Sequence, residues 1–298
     1  MLKPSLLAGY QGERGRVLTG IGLMCLAGIM FPFMNAFAKI LGHTYSTLEV
    51  SWARFAGHVV FTAMIFLPSR GVSMFITRQP KIQLARSVIQ CLSNCLFVAA
   101  IVYQPLANAS AIGMMGPLMV VLMAWPMLGE RASLSHVITI LVGFVGVLII
   151  IRPGSSVFHP SALLLIGSSI CFALYQILTR MGANVDSTAA TTFYSSVFGA
   201  IAMLAVLPFV GKLPVNFADF AMFCALGIIG GLGHYCVVLA LARAPANIIA
   251  PFAYFQLLGS TVVGYYMFDQ LPDAPTFAGA AIVVAAGIAL GWSHTRRR

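Results

Sequence analysis

Ten apolar segments, each close to the length that crosses a bilayer, follow one another with only short polar breaks. They span residues 17–38, 47–68, 85–103, 107–128, 134–151, 160–180, 188–208, 217–241, 246–268 and 274–292. A bilayer core needs about 20 apolar residues per helix, and irregular backbone exposed to lipid is not tolerated at that depth. We therefore predict an all-α integral membrane protein with ten transmembrane helices.

Composition supports a membrane protein over a soluble one. Of the 298 residues, 60% are apolar and 8% are charged, whereas a soluble domain is about 25% charged. The net charge of +10 comes from short clusters between apolar runs. Such clusters are typical of cytoplasmic loops, so we expect a lipid bilayer and no nucleic acid as partner.

The distribution of basic residues predicts the orientation. If the N-terminus is cytoplasmic, thirteen of the 17 Lys and Arg residues lie inside and three outside, and Arg54 falls within a segment. Both termini are then cytoplasmic in a bacterial-type inner membrane, with tails at 1–16 and 293–298. The apolar run after Arg16 is longer than a signal-peptide core of about 7–15 residues, so no cleavage is expected.

The chain also repeats itself weakly, as two five-helix halves at 17–151 and 160–292. At an offset of 141, Asn35 aligns with Gln176 and Lys39 with Arg180; at 139, Glu130 aligns with Asp269. Because five is odd, the second half enters the membrane from the opposite side. Two inverted five-helix repeats around a central cavity are typical of secondary transporters.

Several motifs resemble those of the EamA-type drug/metabolite transporter superfamily. They are Pro105 to Ile112, Pro117, the Leu-Gly-Glu-Arg run at 128–131, the Gly-Phe-Val-Gly-Val run at 143–147, and Arg-Pro-Gly at 152–154. The second half repeats the pattern at 244–251, with Asp269 in place of a Gly-Glu pair. The resemblance implies secondary transport of small metabolites, often export of amino acids, and in some members uptake of riboflavin or S-adenosylmethionine.

The second segment carries a polar stripe. Thr47, Ser51, Arg54, His58 and Thr62 recur at helical spacing on one face. Arg54 lies roughly 10 Å from the outer end at about 1.5 Å per residue. It can bind a substrate carboxylate or phosphate, or it can snorkel to the interface or pair with Glu49.

Other intramembrane polar and aromatic residues are further candidates for substrate binding. His58 and His234 can carry a coupled proton, or they can simply hydrogen-bond across a helix pair. The amides can bind a zwitterionic ligand or join helices; they are Asn35, Gln90, Asn94, Gln176 and Gln256. The aromatic residues can stack on a planar ligand or serve as core and interfacial belt; they are Trp52, Tyr175, Tyr194, Tyr235 and Tyr254.

No cofactor, metal or enzymatic activity is expected. The six cysteines lie in apolar stretches without a metal-ligand set, the acidic residues fall at segment ends, and the chain has no P-loop for ATP. Small residues in the fifth and tenth segments suit scaffold packing or a homodimer contact. The leading function is export of an amino acid or small polar metabolite; the alternatives are uptake of riboflavin or S-adenosylmethionine, an intramembrane enzyme, and a channel or structural protein.

Overall fold

The computed structural model describes residues 4–128, 134–155, 158–181, 185–243, 252 and 254–295. These residues are helical apart from short connections and a 3-10 turn at Gly71–Phe75. The helices are α1 (Pro4–Leu41), α2 (Thr47–Arg70), α3 (Pro80–Ile101), α4 (Leu106–Gly113), α5 (Gly116–Leu128), α6 (Leu134–Ile151), α7 (Ser161–Met181), α8 (Thr188–Leu204), α9 (Leu207–Val210), α10 (Phe217–Arg243), α11 (Phe255–Phe268) and α12 (Ala274–Thr295).

Apolar helices long enough to cross a bilayer make this a multi-pass membrane protein. By length and composition the five clear spans are Gly15–Leu41, Thr47–Phe75, Pro80–Ile101, Ser161–Thr179 and Phe217–Val237. Shorter apolar helical stretches lie at Leu106–Val120, Val137–Ile151, Ala189–Leu204 and Ala274–Ala286. The predicted all-helical membrane class is confirmed, while the count of ten spans and the predicted domain bounds stay predictions.

The predicted fourth segment is divided in two. Helix α4 ends at Gly113 and α5 begins at Gly116. Pro117 falls in the first turn of α5, where a proline does not disrupt helical hydrogen bonds because the first N–H groups have no partner within the helix. The predicted ninth segment begins at 246, and residues 246–251 lie outside the described part of the chain.

Two serine N-caps start α2 and α8. Ser46 accepts a hydrogen bond from Glu49 N at 3.3 Å, and the Glu49 carboxylate accepts one from Ser46 N at 2.7 Å, which completes a capping box. Ser187 Oγ accepts from Ala190 N at 3.1 Å. The two caps are 141 residues apart, which is the offset that aligns the two halves of the sequence.

Helices from the first half of the chain pack mainly on helices from the second half. The largest contacts join α1 to α10, α3 to α7, α6 to α12, and α2 to both α8 and α10. Where α2 crosses α10, Gly57 and Gly227 lie so close that a Cβ on either would sit 2.3 Å from the Cα of the other. Both positions therefore require glycine.

The small residues of α6 and α12 are used inside the chain. A Cβ on Gly146 would lie 2.8 Å from the carbonyl oxygen of Gly279, and Gly143 faces Ala286. This contact supports the scaffold role that the sequence indicated. Exposed alanines of α12 include Ala281, Ala285 and Ala289, which recur every four residues.

Candidate functional site

A polar chamber of about 380 Å³ lies between α2, α3, α7, α8 and α10. We call it the main chamber. It runs from the middle of α2 to the first turn of α3 and the loop before α8, an end of the bundle that we call the Arg70 end. Its polar lining residues are Arg54, His58, Gln83, Arg86, Gln90, Asn94, Tyr175, Thr179, Asp186, Thr191, Thr192, Ser195, Ser196 and His234.

A second cavity, of about 190 Å³, adjoins the first between α1, α3, α4, α7 and α11. We call it the side chamber. Four residues line both cavities: Arg54, Gln90, Asn94 and His234. The remaining lining combines apolar and polar side chains, namely Phe31, Met34, Asn35, Ser93, Phe97, Ser110, Gly113, Met114, Ser168, Ser169, Phe172 and Gln256. The two chambers therefore meet at a junction that contains one cationic side chain.

Arg54 is the cation at that junction. Its helix places it one turn before His58, so both side chains face the chambers. Arg54 Nη1 is buried without a hydrogen-bond partner. Within the described ranges the one ion pair is between Arg152 and Asp273, far along the chain, so Arg54 pairs with no described carboxylate. The pairing with Glu49 that the sequence allowed is not formed; Glu49 caps α2 instead.

The two histidines of the site stack on each other. The rings of His58 and His234 lie 5.3 Å apart and within 4° of parallel. His58 Nδ1 is 2.8 Å from Ser196 Oγ, while His58 Nε2 is buried and has no partner. His234 also contacts Phe31, at 5.0 Å between ring centroids. Two imidazoles thus lie beside the unpaired guanidinium.

Arg86, which is one of the thirteen basic residues expected on the cytoplasmic side, is a second buried cation. It is 2% exposed, and its guanidinium donates to Gln83 Oε1 at 2.5 Å, Thr191 O at 3.1 Å and Ser195 Oγ at 2.5 Å. The same group lies 5.1 Å from the centre of the Tyr175 ring. Arg86 therefore joins α3 to α7 and α8, and neutral groups hold it.

Asp186 lies where the main chamber reaches the Arg70 end. Its carboxylate accepts hydrogen bonds from Thr77 Oγ1 at 2.6 Å, Arg78 N at 2.7 Å and Gln83 Nε2 at 2.8 Å. Burial acts to raise the pKa of Asp186, but these hydrogen bonds and the charge of Arg78 outweigh it and lower the pKa. The carboxylate is therefore ionised at neutral pH and ties the loop before α8 to the loop before α3.

A comparable contact closes the opposite end of the bundle. Tyr45 OH donates to Asp219 Oδ2 at 2.7 Å and accepts from Val215 N at 2.8 Å. These bonds join the α1–α2 loop to the segment that begins α10. Hydrogen bonds between loops thus join the two halves of the chain at both ends.

Of the thirteen residues predicted to bind substrate, eight line the chambers. They are Asn35, Arg54, His58, Gln90, Asn94, Tyr175, His234 and Gln256. The structure brings these eight residues together, while their roles in substrate binding stay predictions.

The other five predicted residues are not among the lining residues of either chamber. Trp52 lines an apolar groove of about 660 Å³ between α2, α9 and α10. Tyr194 OH donates to Phe75 O at 2.8 Å. The Tyr235 ring packs against the Phe66 ring with 5.9 Å between ring centroids. Gln176 is half-buried on α7, and Tyr254 directly precedes α11. The structure therefore brings none of these five to the Arg54 junction.

Several chamber residues were missed from sequence. Gln83 and Arg86 precede the predicted Gln90 and Asn94 on α3 at intervals of three and four residues, and this helical spacing was a signal that could have found them. Serines carried no such signal, because a serine in a helix commonly bonds its own backbone, as Ser195 does to Thr191 O at 2.8 Å. Only packing shows which serines face a cavity.

Comparison with known proteins gives matches over nearly the whole chain. The profile of the EamA-like transporter family matches residues 18–152 and again 159–291. A solved crystal structure superposes with a TM-score of 0.66 at 18% identity, covering 95% of this chain and 98% of the other, and so shares the fold.

Curated relatives differ in what they carry. An S-adenosylmethionine uptake transporter of Rickettsia felis is 25% identical over 94% of both chains. The pseudopaline exporter CntI of Pseudomonas aeruginosa is 29% identical over 94% of this chain and 97% of its own. A riboflavin transporter of Rhizobium johnstonii is 26% identical over 96% and 95% of the two chains. These three relatives are transporters, and the substrates in their names differ.

Proposed function

Because this chain belongs to the EamA-like transporter family, we propose that it is a secondary transporter of a small metabolite whose free carboxylate binds Arg54. The observation that carries the proposal is the unpaired guanidinium at the junction of the two chambers. The resemblance that the sequence indicated is confirmed by the family match.

The energetics of a buried cation favour an anionic ligand. A guanidinium inside a membrane protein is costly unless a counter-ion or hydrogen-bond acceptors satisfy it. Arg54 has neither among the described side chains, whereas both terminal nitrogens of Arg86 have acceptors and only its Nε has none. A carboxylate can pair with a guanidinium through two parallel hydrogen bonds, so a bound substrate would supply what the protein lacks.

The topology we propose follows the sequence. Ten helices form two inverted five-helix repeats with both termini cytoplasmic, in a bacterial-type inner membrane. The Arg70 end then faces the cytoplasm, and the main chamber opens toward it. Alternating access would require the contacts of Asp186 at one end and of Tyr45 at the other to break in turn.

Export of an amino acid or related metabolite is our first candidate activity. The similarity to a pseudopaline exporter supports it. Uptake of a cofactor is the second candidate, and the similarity to the S-adenosylmethionine uptake transporters favours that substrate. Riboflavin bears no carboxylate to pair with Arg54 and fits the junction less well.

Three finer features belong to the same proposal. The stacked pair of His58 and His234 is the group through which proton coupling would act. The exposed alanines of α12 would provide the contact of a homodimer, because the glycines of α6 already pack within the chain. Transport without chemical change is the activity, so the chain is not an enzyme.

The test is transport by the full chain in proteoliposomes. The panel is amino acids, S-adenosylmethionine and riboflavin, each measured with wild-type, Arg54→Lys and Arg54→Gln protein. We expect Arg54→Gln to weaken binding of the carboxylate substrate by at least about tenfold, since truncating one partner of a buried charged pair costs about 2–5 kcal/mol. Arg54→Lys should retain part of the affinity. Unchanged affinity in Arg54→Gln would refute the assignment.

A further inference from the structure

The lining of the side chamber includes two asparagines that each have an amide atom without a partner. Asn35 on α1 is 4% exposed and Asn94 on α3 is 6% exposed. Asn35 Oδ1 and Asn94 Nδ2 are both buried and make no hydrogen bond to any described residue. Both residues line one small cavity, and unsatisfied polar atoms are uncommon in protein interiors because an unmade hydrogen bond is costly.

The serines of the side chamber are satisfied within the protein. Ser93 Oγ donates to Ser168 O at 2.9 Å, and Ser168 Oγ donates to Ser93 O at 2.8 Å. Ser110 Oγ lies 2.6 Å from Ser260 Oγ. These serines join helices in the way that polar residues of membrane proteins commonly do. The unpartnered atoms of the two asparagines make no such bond between helices, and this makes the two residues candidate ligand contacts.

The apolar part of the lining suits a flat ring. Three phenylalanine rings, those of Phe31, Phe97 and Phe172, line the side chamber together with Met34 and Met114. Aromatic side chains pack on planar groups in offset-stacked or edge-to-face geometry, and the flexible methionine side chain adapts to irregular shapes. A cavity of about 190 Å³ is smaller than the roughly 300–1,000 Å³ of a whole ligand pocket, so it holds one ring of a larger molecule.

The junction fixes how that ring connects to the rest of the substrate. Arg54 lines both chambers, so a carboxylate bound there is at the threshold of the side chamber. Gln90 also lines both, and its Oε1 is buried without a partner. A ligand with its charged part at Arg54 can therefore extend a second part between the phenylalanines.

We propose that the side chamber is a binding subsite for a planar heteroaromatic ring that carries both a hydrogen-bond donor and an acceptor, covalently joined to the carboxylate-bearing part of the substrate. The ring donor binds Asn35 Oδ1, and the ring acceptor binds Asn94 Nδ2. The inference rests on the proposed function for the position of the carboxylate, and it narrows the substrate to a two-part molecule.

The experiment separates the two parts. Binding to the full chain in lipid nanodiscs is measured by calorimetry with S-adenosylmethionine (both parts), methionine (the carboxylate part) and adenosine (the ring part). We expect Asn35→Leu and Asn94→Leu each to weaken S-adenosylmethionine and adenosine by about tenfold, since one lost hydrogen bond of about 1.4 kcal/mol is a factor of ten. Methionine affinity should stay unchanged in both variants.

The control is Gln104→Leu. Gln104 is an amide of equal burial, 7% exposed, which donates to Ser161 Oγ at 3.0 Å outside both chambers. Its loss should lower thermal stability without changing any affinity. Asn35→Leu, by contrast, should not lower the thermal stability of the ligand-free protein, because it removes a buried group that has no partner to lose.

The outcomes distinguish this proposal from the one it rests on. If adenosine fails to bind wild-type protein, or binds Asn35→Leu and Asn94→Leu equally well, the ring subsite is wrong even where methionine binding depends on Arg54. If both asparagine variants weaken adenosine binding while Arg54→Gln leaves methionine affinity unchanged, the ring subsite stands and the carboxylate assignment fails. A marked drop in stability of ligand-free Asn35→Leu would show a structural role and overturn the proposal.

Discussion

The crossing of α2 and α10 at Gly57 and Gly227 allows a sharp test of how packing positions the site. Gly57→Ala adds one methyl group, which would lie 2.3 Å from Gly227 Cα. The obstacle is backbone, so no side chain can move aside. Carbon atoms pack at about 3.5–4.0 Å, and the two helices must therefore separate locally by roughly 1.2–1.7 Å.

The expected loss of stability is the difference of two terms. Alanine is favoured over glycine in a helix by about 0.8–1.0 kcal/mol. Overpacking costs about 1–3 kcal/mol, and a clash with backbone belongs near the upper end of that range. The net destabilisation should be about 2 kcal/mol. Because Gly57 directly precedes His58, the same shift should separate the His58 and His234 rings from 5.3 Å and weaken substrate binding.

The assay is thermal unfolding in detergent together with substrate affinity in nanodiscs. Gly22→Ala on α1 is the matched control, since a Cβ there meets nothing within 4 Å and the substitution should be neutral or stabilising. The double variant Gly57→Ala, Gly227→Ala should lose less than the sum of the single losses, because one separation accommodates both methyl groups. If Gly57→Ala unfolds at the same temperature as wild type and binds substrate with the same affinity, the close crossing of the two helices is refuted.

Two further predictions concern charge. Asp186→Asn should unfold at a lower temperature than wild type at neutral pH. Because folding lowers the pKa of Asp186 below its usual 3.8, the carboxylate stabilises the folded state above pH 3.8, and this stabilisation is lost as the pH falls through the lowered pKa. The melting curves of the two proteins should therefore converge in acid. A constant gap across that range would contradict the role of the charge. For the histidine pair, the double variant His58→Gln, His234→Gln should lose accumulation driven by a proton gradient while retaining exchange of labelled for unlabelled substrate. Gradient-driven accumulation that persists would exclude these histidines as the proton carrier.

The membrane fold could be predicted because the bilayer leaves few options. Sixty per cent apolar residues in ten runs can satisfy their backbone groups in lipid only as helices. The caps at Ser46 and Ser187 are local features with recognisable residues, and they were predictable to within the usual uncertainty of helix ends. The break between α4 and α5 was not, since Pro117 suits the start of a helix as well as a kink within one.

The candidate site was predicted in part. The polar stripe of α2 placed Arg54 and His58 in the chambers, because a helix face lined by polar residues must turn away from lipid. Trp52 and Tyr235 were harder to assign, since an aromatic residue fits a groove, a belt or a core equally well. Arg86 falls at the start of the predicted third segment, and only the neighbouring helices show that it is buried.

By itself, the sequence determined that this protein lies in a lipid bilayer, that it is helical, and which few polar helix faces must point inward, because hydropathy and helical period are local properties. Tertiary structure decided which of those faces meet. Arg54 and Arg86 have the same side chain in neighbouring helices, yet α8 supplies acceptors to Arg86, while Arg54 is left without a partner where two chambers join. That difference arises from contacts between residues about a hundred positions apart, and it is what separates a structural arginine from a candidate substrate ligand.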